Sequence, residues 1–191
     1  GSLSPFWSYF THWGLFLVIL FTWLLIETTQ WLAETPLSAA RKLLKYKFWI
    51  WLVAAALIGL TTFLLIQGVA IAWLTLPMAF WSGVLLLKKD LDDRKRFVLF
   101  LTGSALVLTL MVEIVVLKGD LGRMNTVFKF YLQAWIMFAI SSGAALIWSI
   151  GKIRNNWSPF NRRFWQVVVV TLFGCAVLYP LTATVEKIND R

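Results

Sequence analysis

The chain has 191 residues, of which 60% are hydrophobic and only 14% charged, and it carries a formal net charge of +9. That balance lies far outside the soluble globular range and describes an integral membrane protein. It also excludes a nucleic-acid surface, because the basic residues are dispersed beside apolar runs instead of clustered on one face, and membrane topology with anionic headgroups accounts for them.

A membrane crossing takes about 20 mostly apolar residues. Six runs reach that length: Tyr9 to Thr29, Phe48 to Ile66, Val69 to Leu87, Phe97 to Leu117, Asn125 to Ile150 and Phe164 to Leu181. The predicted fold is therefore all-α, a polytopic transmembrane helix bundle of about six spans, with residues 1–191 forming a single transmembrane domain. The chain opens Gly1-Ser2-Leu3-Ser4-Pro5, without a methionine or a basic leader region. A start this close to a span predicts a portion of a larger membrane protein, with the remainder of the full-length chain as its partner.

In the first span, His12 sits near the outer end as a candidate pocket member, against the commoner role of a hydrogen-bonded packing residue. Glu27, near the other end, is expected to reach the interface or to pair with Arg41 or Lys42, without a catalytic role. The second and third runs are separated by little more than Gln67 and Gly68. A continuous helix there would be twice the length needed, so a tight helical hairpin is predicted. Pro77 is expected to kink the third span. In the fifth, Ala139, Ser141, Ser142, Gly143, Ala144 and Ala145 form a small-residue surface for close helix approach. Trp7, Trp13, Trp31, Trp49, Trp51, Trp157 and Trp165 lie near predicted span ends and read as an interfacial belt. Cys175 is alone, which leaves no intrachain disulfide and no cysteine metal cluster.

Most of the 18 basic residues fall in three connections, Trp31 to Lys47, Lys88 to Arg96 and Gly151 to Arg163. In a six-span bundle these share one side, which the positive-inside rule makes cytoplasmic. Both termini are then extracytoplasmic.

The stretch Lys118 to Trp135, KGDLGRMNTVFKFYLQAW, sets charge and amide groups beside hydrocarbon, where polar groups need partners or water. Asn125, Lys129 and Gln133 recur at i, i+4 and i+8 and share one helix face. Glu113 lies one turn inside the preceding span, so a short connection through Gly119 and Gly122 can return Lys129 close to it. Arg123 and Lys129 are natural ligands for a phosphate, while Glu113 and Asp120 could bind a divalent metal, a sugar hydroxyl or those same cations. The competing reading stands beside it: Glu113 with Lys129, and Asp120 with Arg123, as ion pairs that only neutralise charge where helices meet.

The run GDLGRMNTVFKFYLQAW resembles the signature of a family of large prokaryotic multi-spanning proteins, the YYY-domain membrane proteins, whose domain is of unknown function. Arg123, Met124, Asn125, Phe128, Lys129, Phe130, Tyr131, Gln133 and Trp135 fill its R-M-N-x-x-F-K-F-Y-x-Q-x-W pattern. Trp7 to Phe16 is similar to an upstream family segment, with Trp13 intervening between His12 and Gly14. Tyr179, Pro180 and Asp190-Arg191 resemble the later part of the domain. The family is grouped by remote similarity with GT-C glycosyltransferases, and what the resemblance implies is a site at the extracytoplasmic face for a polyprenyl-phosphate-linked sugar. Arg123 and Lys129 would hold the donor phosphate, and Asn125, Tyr131 and Gln133 its phosphate or sugar. Glu113 or Asp120 would orient them, with the catalytic acidic residue in a part of the larger protein outside this chain. The alternatives are a transporter or flippase module for a polar or lipid-linked solute, or a structural subunit. The expected setting is the prokaryotic plasma membrane, with membrane lipids as partners.

Overall fold

A computed structural model of the chain describes residues 3–36, 38, 41–42, 44–115 and 123–189, without the side chains of 123–126, 179, 183, 185–186 and 189. Every regular element among them is helical. The helices are α1 (Phe6–Glu34), α2 (Lys47–Ile66), α3 (Ala72–Leu86), α4 (Asp93–Ile114), α5 (Arg123–Asn156) and α6 (Pro159–Asn189), with a 3-10 turn, Leu44–Tyr46, ahead of α2. Five of them are long and apolar enough to cross a membrane. The sixth, α3, is apolar but has only 15 residues, about 22 Å of helix, because Val69 to Ile71 are spent on the turn that precedes it.

The core follows from helical periodicity. On α1 the residues Tyr9, Trp13, Leu17, Leu20, Leu24 and Glu27 are buried at steps of three and four, one stripe of a 3.6-residue helix. That stripe faces α5, while α4 packs between α3 and α5. On α5, Ala134, Phe138, Ser141, Ser142, Ala145 and Ser149 form the buried face. The small-residue surface expected there is thus partly realised: Ser141, Ser142 and Ala145 are inside, whereas Gly143 is exposed and a Cβ on it would meet nothing within 4 Å.

The two outer helices differ in kind. α2 touches chiefly α3, and α6 touches chiefly α1. Their apolar residues, such as Trp51, Phe63, Val170 and Phe173, are exposed around the helix, as expected of surfaces solvated by lipid.

The hairpin predicted at Gln67 and Gly68 is present, and its backbone explains it. Gly68 has φ of +85°; its amide donates to Leu65 O at 2.9 Å and that of Val69 to Leu64 O at 2.9 Å. This is a Schellman ending, accompanied by burial of both Leu64 and Val69. Helix α3 runs through Pro77 without a break.

Three expectations need correction. The connection Gly151 to Arg163 is mostly helix: α5 continues to Asn156 and α6 starts at Pro159, leaving only Trp157 and Ser158 between them. Ser158 takes the N-cap place, its Oγ accepting from Asn161 N at 3.3 Å, and Pro159 the first helical position, where its missing amide costs nothing. Glu27 pairs with neither Arg41 nor Lys42. Its buried carboxylate accepts from Lys95 Nζ and from Trp23 Nε1, the latter at 3.2 Å, because α4 brings Lys95 against the same stripe of α1. Trp13 is not an interfacial residue either; it is 3% exposed and packed among the rings of Tyr131 and Phe138, each with its centroid 5.2 Å away.

Contacts also assign the connections to ends of the bundle. Lys88 Nζ lies 2.9 Å from Glu34 Oε2, and Lys95 meets Glu27, so the basic connection between α3 and α4 shares an end with the close of α1. At the opposite end, Ser4 meets Glu113, and Leu3 reaches the Gly68 turn.

Candidate functional site

The opposite end assembles from α1, α4 and α5. Pro5 sets the start of α1, its carbonyl accepting from the amides of Ser8 and Tyr9. This orientation directs Tyr9 inward, where its hydroxyl and Thr109 Oγ1 are hydrogen-bonded at 2.9 Å, fully buried. One turn further along α4, Glu113 is buried as well. Its Oε2 accepts from the backbone amide of Ser4 at 3.0 Å. A carboxylate withdrawn from water needs such donors. Tyr9 and Tyr131 both pack on the indole of Trp13, with ring centroids 6.3 and 5.2 Å from it. Tyr131 stands edge-on to Trp13, with an interplanar angle of 75°. The indole Nε1 of Trp13 is buried without an acceptor among the described residues, which is uncommon for a buried donor.

Lys129, Tyr131 and Gln133 lie in the second and third turns of α5, beside this cluster. Tyr131 is half-buried against the core, whereas Lys129 and Gln133 are exposed, on the flank of α5 turned away from the Ala134–Phe138 packing face. The sequence-predicted residues thus divide. Glu113 and Tyr131 come together around Tyr9; Lys129 and Gln133 border them from outside. His12 is exposed, with Nδ1 2.8 Å from its own-turn acceptor Ser8 O, and is hydrogen-bonded to none of them. Asp120, with Gly119 and Gly122, lies outside the described residues, as do the side chains of Arg123 and Asn125. Among the described residues no group of three His, Cys, Asp or Glu side chains is placed to hold a metal ion.

Sequence reasoning misses Ser4, Tyr9 and Thr109. Single hydroxyls within apolar runs carry little signal, although the tyrosine and the carboxylate each lie about one turn inside a span end, where a buried polar group must find a partner across the bundle.

The fold and this polar end define a multi-pass helical membrane protein. Residues 2–138 match the family model described as "Uncharacterized membrane protein (DUF2298)". The chain belongs to that family, in agreement with the expected kinship to multi-spanning proteins of unknown function. The match runs from the start of the described chain through Phe138, and so takes in the whole polar cluster. No curated protein and no solved structure matches the chain.

Proposed function

We propose that the chain is the membrane-embedded part of a GT-C-like glycosyltransferase that binds a polyprenyl-phosphate-linked sugar donor at the extracytoplasmic end of the bundle. The observation that carries this reading is the convergence of Glu113, Tyr9 and Tyr131 on one bundle end, bordered by the exposed Lys129 and Gln133. A buried carboxylate, a buried tyrosine and a half-buried one gather polar groups at this end. An exposed ammonium half a turn before Tyr131 supplies positive charge where a lipid phosphate would depart, and charge placed there stabilises the leaving group as its negative charge develops.

In this reading Arg123 and Lys129 hold the phosphate, Asn125, Tyr131 and Gln133 bind phosphate or sugar, and Glu113 with Asp120 orients them or holds a divalent metal. The acid or base that acts on the acceptor belongs to the rest of the full-length protein. The orientation follows from charge: Lys88, Lys89, Arg94, Lys95, Arg96, Lys152, Arg154, Arg162 and Arg163 flank the far ends of the helices, and basic flanks stay on the cytoplasmic side of a prokaryotic plasma membrane. Both termini and the polar cluster are then extracytoplasmic.

The test is binding of polyprenyl-phosphate sugars to the full-length protein, comparing wild type with Arg123→Ala and Lys129→Ala. Loss of a charge-assisted phosphate contact should weaken binding by about 10- to 100-fold. Unchanged affinity in both variants, with folding intact, removes the phosphate role.

A further inference from the structure

At the other end of the bundle, α2 stands off α1 and leaves a cleft of about 760 Å3 between α1, α2 and α3. Its walls are apolar, with Phe21 and Leu25 from α1, Ile50 and Val53 from α2, and Pro77 and Phe80 from α3. Three side chains in the wall carry a polar atom. Trp81 Nε1 donates to Thr28 Oγ1 at 2.7 Å, and Thr28 Oγ1 donates to Leu24 O at 2.6 Å; the third, the indole of Trp49, comes from the first turn of α2, next to the lysines that precede it. Away from the Trp49 indole the wall is apolar apart from the Trp81–Thr28 pair, which is already hydrogen-bonded, so the interior suits hydrocarbon.

The mouth has the opposite character. On α2 the cleft face runs Leu57, Ala54, Val53, Ile50, and one turn further toward the N-terminus on that face is Lys47. Lys45 follows in the 3-10 turn immediately before it. Both lysines are exposed, and neither has an acidic partner among the described residues. The nearby Lys88 is already paired with Glu34. Lys47 thus continues the cleft face of α2, with Lys45 two residues before it, and neither is ion-paired among the described residues.

We propose that this cleft is a binding site for an anionic phospholipid of the adjacent leaflet, with one acyl chain between α1, α2 and α3 and the headgroup phosphate on Lys45 and Lys47. Charge complementarity selects the head, since juxtamembrane lysines attract anionic headgroups. The site lies at the bundle end away from Glu113 and does not depend on the donor reading.

The test uses the full-length protein in nanodiscs of mixed phosphatidylglycerol and phosphatidylcholine, with lipid retention read by native mass spectrometry after transfer to detergent. Wild type should retain phosphatidylglycerol in preference to phosphatidylcholine. Lys45→Gln with Lys47→Gln should weaken that retention roughly thirtyfold while phosphatidylcholine retention stays as it was; Arg162→Gln with Arg163→Gln, on α6 and outside the cleft wall, should change neither. A phosphatidylglycerol carrying a photoreactive group midway along one acyl chain should crosslink to residues 49–57 or 77–84, a readout that needs no substitution in the cleft. Equal retention of the two lipids by wild type, undiminished phosphatidylglycerol retention in the double lysine variant, or crosslinks that avoid both segments would overturn the proposal.

Discussion

The ion pair between Glu27 and Lys95 offers the sharpest test of how the bundle is held together. The side chain of Glu27 is 5% exposed and that of Lys95 25%, and the carboxylate also accepts from Trp23 Nε1. Replacing Lys95 by methionine keeps most of the aliphatic length while leaving a buried carboxylate with one neutral donor. Stranding one member of a buried pair costs about 3–5 kcal/mol, whereas replacing both members by apolar groups of similar volume is often neutral. Because Lys95 is a quarter exposed, water can partly solvate the pair, and the lower end of that range applies. Lys95→Met should therefore lower stability by about 3 kcal/mol, read as a fall in apparent Tm. Glu27→Leu combined with Lys95→Met should recover most of the loss. Thermal unfolding of the full-length protein in detergent, followed by tryptophan fluorescence, measures both variants beside Glu27→Leu alone. A Lys95→Met protein as stable as wild type, or a double variant no better than that single one, would refute the view that Lys95 neutralises Glu27 inside the bundle.

At the polar end, Tyr9→Phe removes the hydroxyl that meets Thr109 and should cost about 1–2 kcal/mol, with Thr109→Val in the same chain restoring part of it; chemical unfolding in mixed micelles reads the difference. Gly68→Ala should destabilise the hairpin by about 1–2 kcal/mol in the same assay, because its φ of +85° is unfavourable for a residue with a Cβ. That Cβ would also approach Leu3 Cδ1 to 3.2 Å, so Leu3→Ala should relieve only the steric share. Orientation is open to labelling: with Cys175→Ser as background, Lys89→Cys should react with an impermeant maleimide only after permeabilisation of the cells. Labelling in intact cells would reverse the proposed topology.

The helices were legible in the sequence because lipid-facing and core-facing positions are both apolar, so each crossing leaves a run of the right length. The same uniformity hides which face packs. Trp13 and Trp49 look alike as aromatic residues near span ends, yet one is buried among aromatic rings and the other exposed, and only the stripe through Tyr9, Leu17 and Leu20 separates them. Charge density makes Gly151 to Arg163 read as a loop, although Ser158-Pro159 carries the cap-and-first-turn signature of a helix start. For Glu27, nearby Arg41 and Lys42 are natural choices along the chain; its actual partner comes from α4, a tertiary relation that no local pattern encodes. Glu113 is recognisable as a costly carboxylate near a span end. Its neighbours Ser4, Tyr9 and Thr109 are not, since each becomes polar in consequence only when three helices meet.

The shortness of α3 reaches beyond the protein itself. Its 15 residues give about 22 Å of helix, some 8 Å less than the hydrocarbon thickness of a typical bilayer. Lipid beside a short apolar segment adapts by thinning, at a modest cost for each ångström of mismatch. If lipid thins to meet α3, the leaflets should dip along its exposed flank and headgroups there should ride deeper than elsewhere around the bundle. Membrane thickness becomes a variable that bears on this one flank, so that bilayers of shorter acyl chains should accommodate the protein with less deformation than thicker ones.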